Sequence, residues 1–175
     1  MKEGYGPNEE ALAALRARGA GLIVTVDCGI AAHGPLAAVA DTGIDVIVID
    51  HHLAGPDLPR AHSVINPNRL DEDGAYGHLC AAGVTFIVLV ALLRELRSRG
   101  AFTESSPAPD LMRQLDLVGL ATVCDVVPLT GVNRAFVGQG LKVLGQRTNL
   151  GLACLADQAG PVSYTHLTLP TMMSV

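Results

Sequence analysis

Asp50-His51-His52 sets a carboxylate and two imidazoles in succession, and each of these groups offers a lone pair to a hard or borderline divalent cation. One His after a strand reads as a surface residue, but three metal-capable groups in a row read as a site. The run that leads into them, Asp45-Val46-Ile47-Val48-Ile49, carries four β-branched apolar residues without polar alternation. That pattern predicts a strand buried on both faces, as in a parallel sheet covered by helices. Side chains at the carboxyl ends of such strands line the crevice where open α/β sheets bind ligands.

A second run, Leu22-Ile23-Val24-Thr25-Val26, repeats the pattern and ends in Asp27-Cys28-Gly29. Alone, Asp27 reads as a turn or capping residue. Between the two runs, Ala31 to Thr42 is Ala-rich, with Pro35 suited to a first helical turn and Gly43 as its stop. Strand, helix and strand in succession form a βαβ unit, which brings Asp27 and Asp50 to the same edge of the sheet and makes Asp27 part of the site. The fold class is therefore α/β, a parallel sheet with flanking helices. Asn8 is placed to cap a helix with Glu9 and Glu10 in its first turn, His62 to Ile65 reads as a further short strand, and Ala81 to Arg99 reads as the longest helix. His78 reads as a loop residue. Asp110 is a good cap for a helical region through Leu120, and Asn133 for a last helix through Leu144. Between these lies Ala121 to Leu129, almost wholly apolar, with Asp125 in its middle. A carboxylate there is costly unless it is a buried cap, is paired or binds a metal.

The remaining composition bounds the partners. At 175 residues and 49% hydrophobic, the chain is long enough for one domain with a real core. A net charge of −5 with 12 basic residues spread thinly gives no basic stripe, so a phosphate-bearing partner would be held by metal ions and a few placed cations, or by a region outside this chain. No run reaches membrane-spanning length, and no signal-peptide pattern opens the chain, which points to the cytoplasm. Cys28, Cys80, Cys124 and Cys154 stand apart in apolar surroundings and read as small, reduced core residues.

In order and spacing, Val26-Asp27-Cys28-Gly29, Asp50-His51-His52, Asn66-Pro67-Asn68-Arg69, Ala82-Gly83-Val84, Cys124-Asp125-Val126-Val127-Pro128-Leu129 and Gly131-Val132-Asn133-Arg134 resemble the DHH phosphoesterases. Within that family the RecJ-type single-strand-specific exonucleases match best. The resemblance implies metal-dependent phosphodiester hydrolysis, 5′ to 3′ on single-stranded DNA, in repair and recombination. It makes Asp27, His51 and Asp125 metal ligands, with Asp27 bridging two divalent ions. Asp50 then orients His51, His52 contacts the scissile phosphate, and Gly83, Asn133 and Arg134 contact substrate. Manganese suits such a mixed oxygen and nitrogen shell, with magnesium second. A DHH phosphatase or oligoribonuclease acting on small nucleotides is the alternative in the same family, and a non-catalytic remnant is the other.

Two departures qualify the resemblance. The family's first motif, a strand ending in closely spaced aspartates, normally lies well before the segment resembling Glu3-Gly4-Tyr5-Gly6-Pro7-Asn8, and the later substrate-binding domains have no counterpart here. An internal stretch of a longer protein is expected, with residues 1–160 an incomplete DHH domain. From 161 to 175 the composition changes abruptly, with Thr165, Thr168 and Thr171 and no acidic residue, lysine or arginine. This reads as a tail foreign to the family, so His166 is not counted as a ligand.

Overall fold

A computed structural model describes residues 6–159. Residues 1–5 and the tail from 160 onward, including His166, lie outside it. The chain divides into two compact units, Met1–Ala101 and Phe102–Val175.

The first unit is built on a three-stranded parallel sheet in the order β1 (Leu22–Val26), β2 (Asp45–Ile49), β3 (Ser63–Ile65). Register pairs Val26 with Ile49 and Ile49 with Ile65, so all three strands end level. The ladder continues one step, with the Asp27 N–H bonded to the Ile49 carbonyl and the Asp50 N–H to the Ile65 carbonyl. Asp27 and Asp50 thus leave the same edge, as the βαβ reading required.

Helices α1 (Glu9–Ala17) and α2 (His33–Ala40) cover one face of the sheet. Their Leu12, Leu36 and Val39 join Ile23, Ile44, Val46 and Val48 in the core. Asn8 caps α1 as expected, its side-chain oxygen accepting from Ala11 N–H at 2.8 Å. The long helix α3 (Ala81–Ser98) touches both β1 and β2. β2 is buried apart from exposed Asp45 and half-buried Ile47, close to what its composition predicted. β1 is not: Leu22, Val24 and Val26 are 54%, 47% and 45% exposed. Composition marks a β-branched run as apolar but does not say how many faces its neighbours cover, and β1, like β3, is an edge strand among the described residues.

The second unit begins with a 3₁₀ turn, Leu111–Gln114, which Asp110 caps through Met112 N–H. Helices α4 (Leu115–Cys124), α5 (Gly131–Gly145) and α6 (Leu150–Gln158) follow. α4 and α5 cross where Gly119 meets Gly140: a Cβ on Gly119 would lie 3.2 Å from Gly140 Cα, and one on Gly140 would run into the Leu115 carbonyl.

Several expectations are corrected here. The apolar run from Ala121 is the last turn of α4, so Asp125 is its exposed C-cap and carries no burial penalty. Asn133 does not cap α5. The cap is Thr130, and Asn133 lies fully buried inside the helix with its amide donating to the Pro128 carbonyl at 2.9 Å. α5 is not the last helix, since Asn149 caps α6 through Leu152 N–H. Of the cysteines only Cys80 is buried, while Cys124 and Cys154 are exposed. An apolar neighbourhood in sequence is not an apolar neighbourhood in space once a helix turns successive residues to different sides. Among the described residues no helix is long and apolar enough to cross a membrane.

Candidate metal centre

The site grows from two loops at the carboxyl edge of the sheet. In the first, Asp27 turns the chain out of β1 with φ 63°, a left-handed conformation that Asp adopts more readily than most residues. Gly29 follows with φ 116°, and a Cβ there would lie 2.7 Å from Thr25 Oγ1 and 3.1 Å from Val48. Only glycine lets this loop fold down so that Ile30 N–H reaches the Asp50 carboxylate, at 2.9 Å.

Asp50 has a fully buried carboxylate and joins the two loops. Besides Ile30 N–H, it accepts from the backbone N–H of His51 at 2.8 Å and of His52 at 3.2 Å, and from His52 Nδ1 at 2.7 Å. Burial by itself pushes this carboxyl's pKa up; the bonds from Ile30, the His52 ring and the two N–H groups outweigh that and hold it below the ordinary carboxylate value. It is therefore a fixed anion whose job is structural. The side chain that Asp50 orients is His52, where the resemblance had implied His51. A carboxylate one residue before His51 is turned toward the backbone of the following two residues and the His52 ring.

The His51 ring is set by another group. Its Nδ1 lies 3.0 Å from the Leu79 carbonyl, which only accepts, so Nδ1 carries a hydrogen and Nε2 is the nitrogen left for Asp27. Nε2 faces Asp27 Oδ1 at 3.2 Å. Two acceptors this close are held together by a proton or a cation between them. Two ligands at right angles on one ion, each about 2.1–2.2 Å from it, are about 3.0–3.1 Å apart, which matches this spacing. Among the described residues one group offers three such atoms: Asp27, His51 and His52 each bring a ligand atom to within 4.8 Å of the others. The His51 and His52 rings lie 4.5 Å apart, centre to centre, tilted by 57°. The donor set, one carboxylate and two imidazoles, suits manganese and zinc-like ions better than magnesium, which favours oxygen ligands.

Cys28 sits between Asp27 and Gly29, half-buried. Burial first, then the Asp50 and Asp27 charges, raise its thiol pKa, and it remains a neutral thiol. Asp125 is in the second unit, at the α4 C-cap. Gly83 is buried in the first turn of α3 and Asn133 inside α5, whereas Arg134 is exposed.

Two residues of the Asn66-Pro67-Asn68-Arg69 motif, outside the expected site residues, hold the backbone of the two histidines. Asn66, 2% exposed, donates to the His52 carbonyl at 2.8 Å and accepts from Asn68 N–H at 2.8 Å. Asn68 donates to the His51 carbonyl at 2.6 Å and to the Gly77 carbonyl at 3.0 Å. Asn-Pro-Asn after a strand was the available signal, because buried amides in turns are usually bonded to backbone.

Comparison with known proteins agrees with this geometry. The model of the DHH family, N-terminal domain, matches residues 2–120. The chain is 48% identical over 142 residues to the single-stranded-DNA-specific exonuclease RecJ of Salmonella typhimurium, covering 81% of this chain and 25% of that protein. It is 42% identical over 161 residues to RecJ of Escherichia coli, covering 91% and 28%. Among solved structures it resembles exonuclease RecJ bound to manganese, with TM-score 0.74 and 34% identity over 92% of this chain and 38% of that one. RecJ of Thermus thermophilus in complex with Mn2+ superposes with TM-score 0.71 and 33% identity, over 87% of this chain and 22% of that one. The chain thus spans about a quarter of the length of the curated relatives it matches. With the ordered motifs, the parallel sheet and the matched residues in agreement, the chain belongs to the DHH family.

Proposed function

We propose that this chain is part of a longer RecJ-type exonuclease that hydrolyses single-stranded DNA from the 5′ end with manganese, or magnesium, as cofactor. The observation that carries the reading is the convergence of Asp27, His51 and His52 at the carboxyl edge of a parallel sheet. The manganese in the two similar solved structures supports the choice of metal. The likeness to single-stranded-DNA-specific exonucleases supports a role in DNA repair and recombination, in the cytoplasm.

In this reading Asp27 and His51 would hold the metal, and the family resemblance would add Asp125 as a further ligand. When bound, the ions supply a Lewis acid for the phosphoryl oxygens and a nucleophile at neutral pH. The chain's own residues do the rest. Leu79 fixes the His51 ring with its Nε2 toward Asp27. Asp50 holds the Nδ1–H of His52, so the opposite edge of that half-exposed ring points outward to meet the scissile phosphate. Arg134, exposed in α5, supplies a cation for the DNA backbone, while the buried Asn133 and Gly83 brace their helices.

The test is nucleotide release from long single-stranded DNA and from dinucleotides by the full-length protein with Mn2+. Release from the long strand, starting at its 5′ end, is expected. Exclusive cleavage of dinucleotides would make the protein a small-nucleotide phosphatase or oligoribonuclease of the same family, and no cleavage of either would make it a non-catalytic relative.

A further inference from the structure

The His51 side chain and the His51 backbone are held by different groups, and one amide ties those groups together. Asn68 Nδ2 donates to the His51 carbonyl at 2.6 Å and to the Gly77 carbonyl at 3.0 Å. Two residues beyond Gly77, the Leu79 carbonyl accepts from His51 Nδ1 at 3.0 Å. The bonds close a circuit from the His51 backbone through Asn68 to the segment Gly77–Leu79 and back to the His51 ring. We infer that Asn68 is a positioning residue for the metal centre: its carboxamide fixes the distance between the Asp50-His51-His52 turn and the Leu79 carbonyl, and so fixes the tautomer and aim of His51. The inference rests on the metal-centre reading above.

Three further observations bear on it. First, a carboxamide is the group this place requires. Its two N–H donors serve two carbonyls that converge on one nitrogen, a task a carboxylate of the same shape cannot perform. Second, Asn68 is itself held, since its backbone N–H donates to Asn66 Oδ1 and Asn66 in turn holds the His52 carbonyl. The two amides therefore grip the two histidines from the same turn. Third, Gly77 is kept small for Asn68. Its backbone is not left-handed, yet a Cβ there would lie 2.5 Å from Asn68 Oδ1. The next nearest group is the Gly74 carbonyl at 3.3 Å, so an alanine presses first and hardest on this amide. Neighbouring Arg69 serves as the contrast, because it holds the Val64 carbonyl and the exposed Asp71 and touches neither histidine.

The experiment uses the full-length protein and its Asn68→Asp, Gly77→Ala and Asp71→Asn variants. Mn2+ affinity is measured by calorimetry, the His51 ring by correlation of its nitrogens and carbon-bound hydrogens in metal-free protein, and the fold by thermal unfolding. Asn68→Asp puts oxygen against two carbonyls, so Mn2+ binding should weaken by about 10–100-fold, the usual effect of losing a group that orients a ligand. The His51 spectrum should change from a fixed Nδ1–H tautomer to a mixture. Gly77→Ala should move both readouts in the same direction, and Asp71→Asn should move neither. If Asn68→Asp does not fold, Asn68→Ser and Gly77→Ala carry the same readouts. Wild-type affinity and an unchanged His51 spectrum in these variants overturn the inference, as does an equal loss in Asp71→Asn. If the unmodified protein binds no Mn2+, the metal-centre reading fails, and the His51 spectrum still decides whether Asn68 sets the ring.

Discussion

Asp50 accepts four hydrogen bonds with two oxygens while excluded from solvent, and three of the donors come from its own turn. An amide in its place keeps one acceptor and presents an N–H₂ to groups that only donate. Asp50→Asn should therefore cost about 1–3 kcal/mol of stability, the penalty for buried donors left unmet, read as a lower denaturation midpoint. Because Asp50 also accepts from the His51 N–H and so sets the turn that carries this ligand, the change should weaken Mn2+ binding by about 10–100-fold. His52→Ala behaves differently if its role is to touch phosphate: turnover falls while calorimetric Mn2+ affinity stays within a few-fold. Equal loss of metal in both variants would make His52 a ligand, a role that its place beside Asp27 and His51 also permits. The presence of chemistry at this turn was legible in the sequence, since three metal-capable groups after an apolar run have few other uses. Which His each partner holds was not. That depends on the Leu79 carbonyl, 28 residues away from His51, and on Ile30 N–H, 20 away from Asp50, contacts that no local pattern encodes.

At the scale of elements, the βαβ unit was readable because its signals agree: β-branched runs, a helix of small residues between them and glycines at the breaks. α6 and the cap of α5 were not. Asn133 has the side chain of a cap, but Thr130 and Gly131, with φ 48°, start the helix earlier, and Asn133 bonds back to Pro128. Local capping preference is worth about 1 kcal/mol, which a buried bond of similar strength and the packing around it can outweigh. Gly140 gives a sharper test of packing against propensity. Alanine in a helix interior gains about 1 kcal/mol over glycine. Here its Cβ would meet the Leu115 backbone and Gly119 Cα at the α4–α5 crossing, and overpacking costs typically about 1–3 kcal/mol. Because backbone cannot step aside as a side chain does, Gly140→Ala should be net destabilising in urea unfolding. A raised midpoint would mean that the crossing is looser than its geometry indicates.

For the molecule as a whole, the chain carries the DHH turn and the loop of Asp27 but about a quarter of the length of its relatives. β1 leaves Leu22, Val24 and Val26 half-exposed beside the site, and the net charge of −5 offers no general attraction for DNA. The 175-residue chain purified alone should therefore show no exonuclease turnover, while the full-length protein does; comparable rates would show that the three-residue centre suffices. The most direct measurement is Mn2+-dependent release of nucleotides from single-stranded DNA by the full-length protein with Asp27→Asn. Asparagine tolerates the left-handed backbone at this position, so the fold should be kept while the charge is removed. The account predicts unchanged thermal unfolding and a loss of more than about 100-fold in Mn2+-dependent rate. Turnover close to that of the unmodified protein would contradict it, because the carboxylate facing His51 would then hold no metal that the reaction uses.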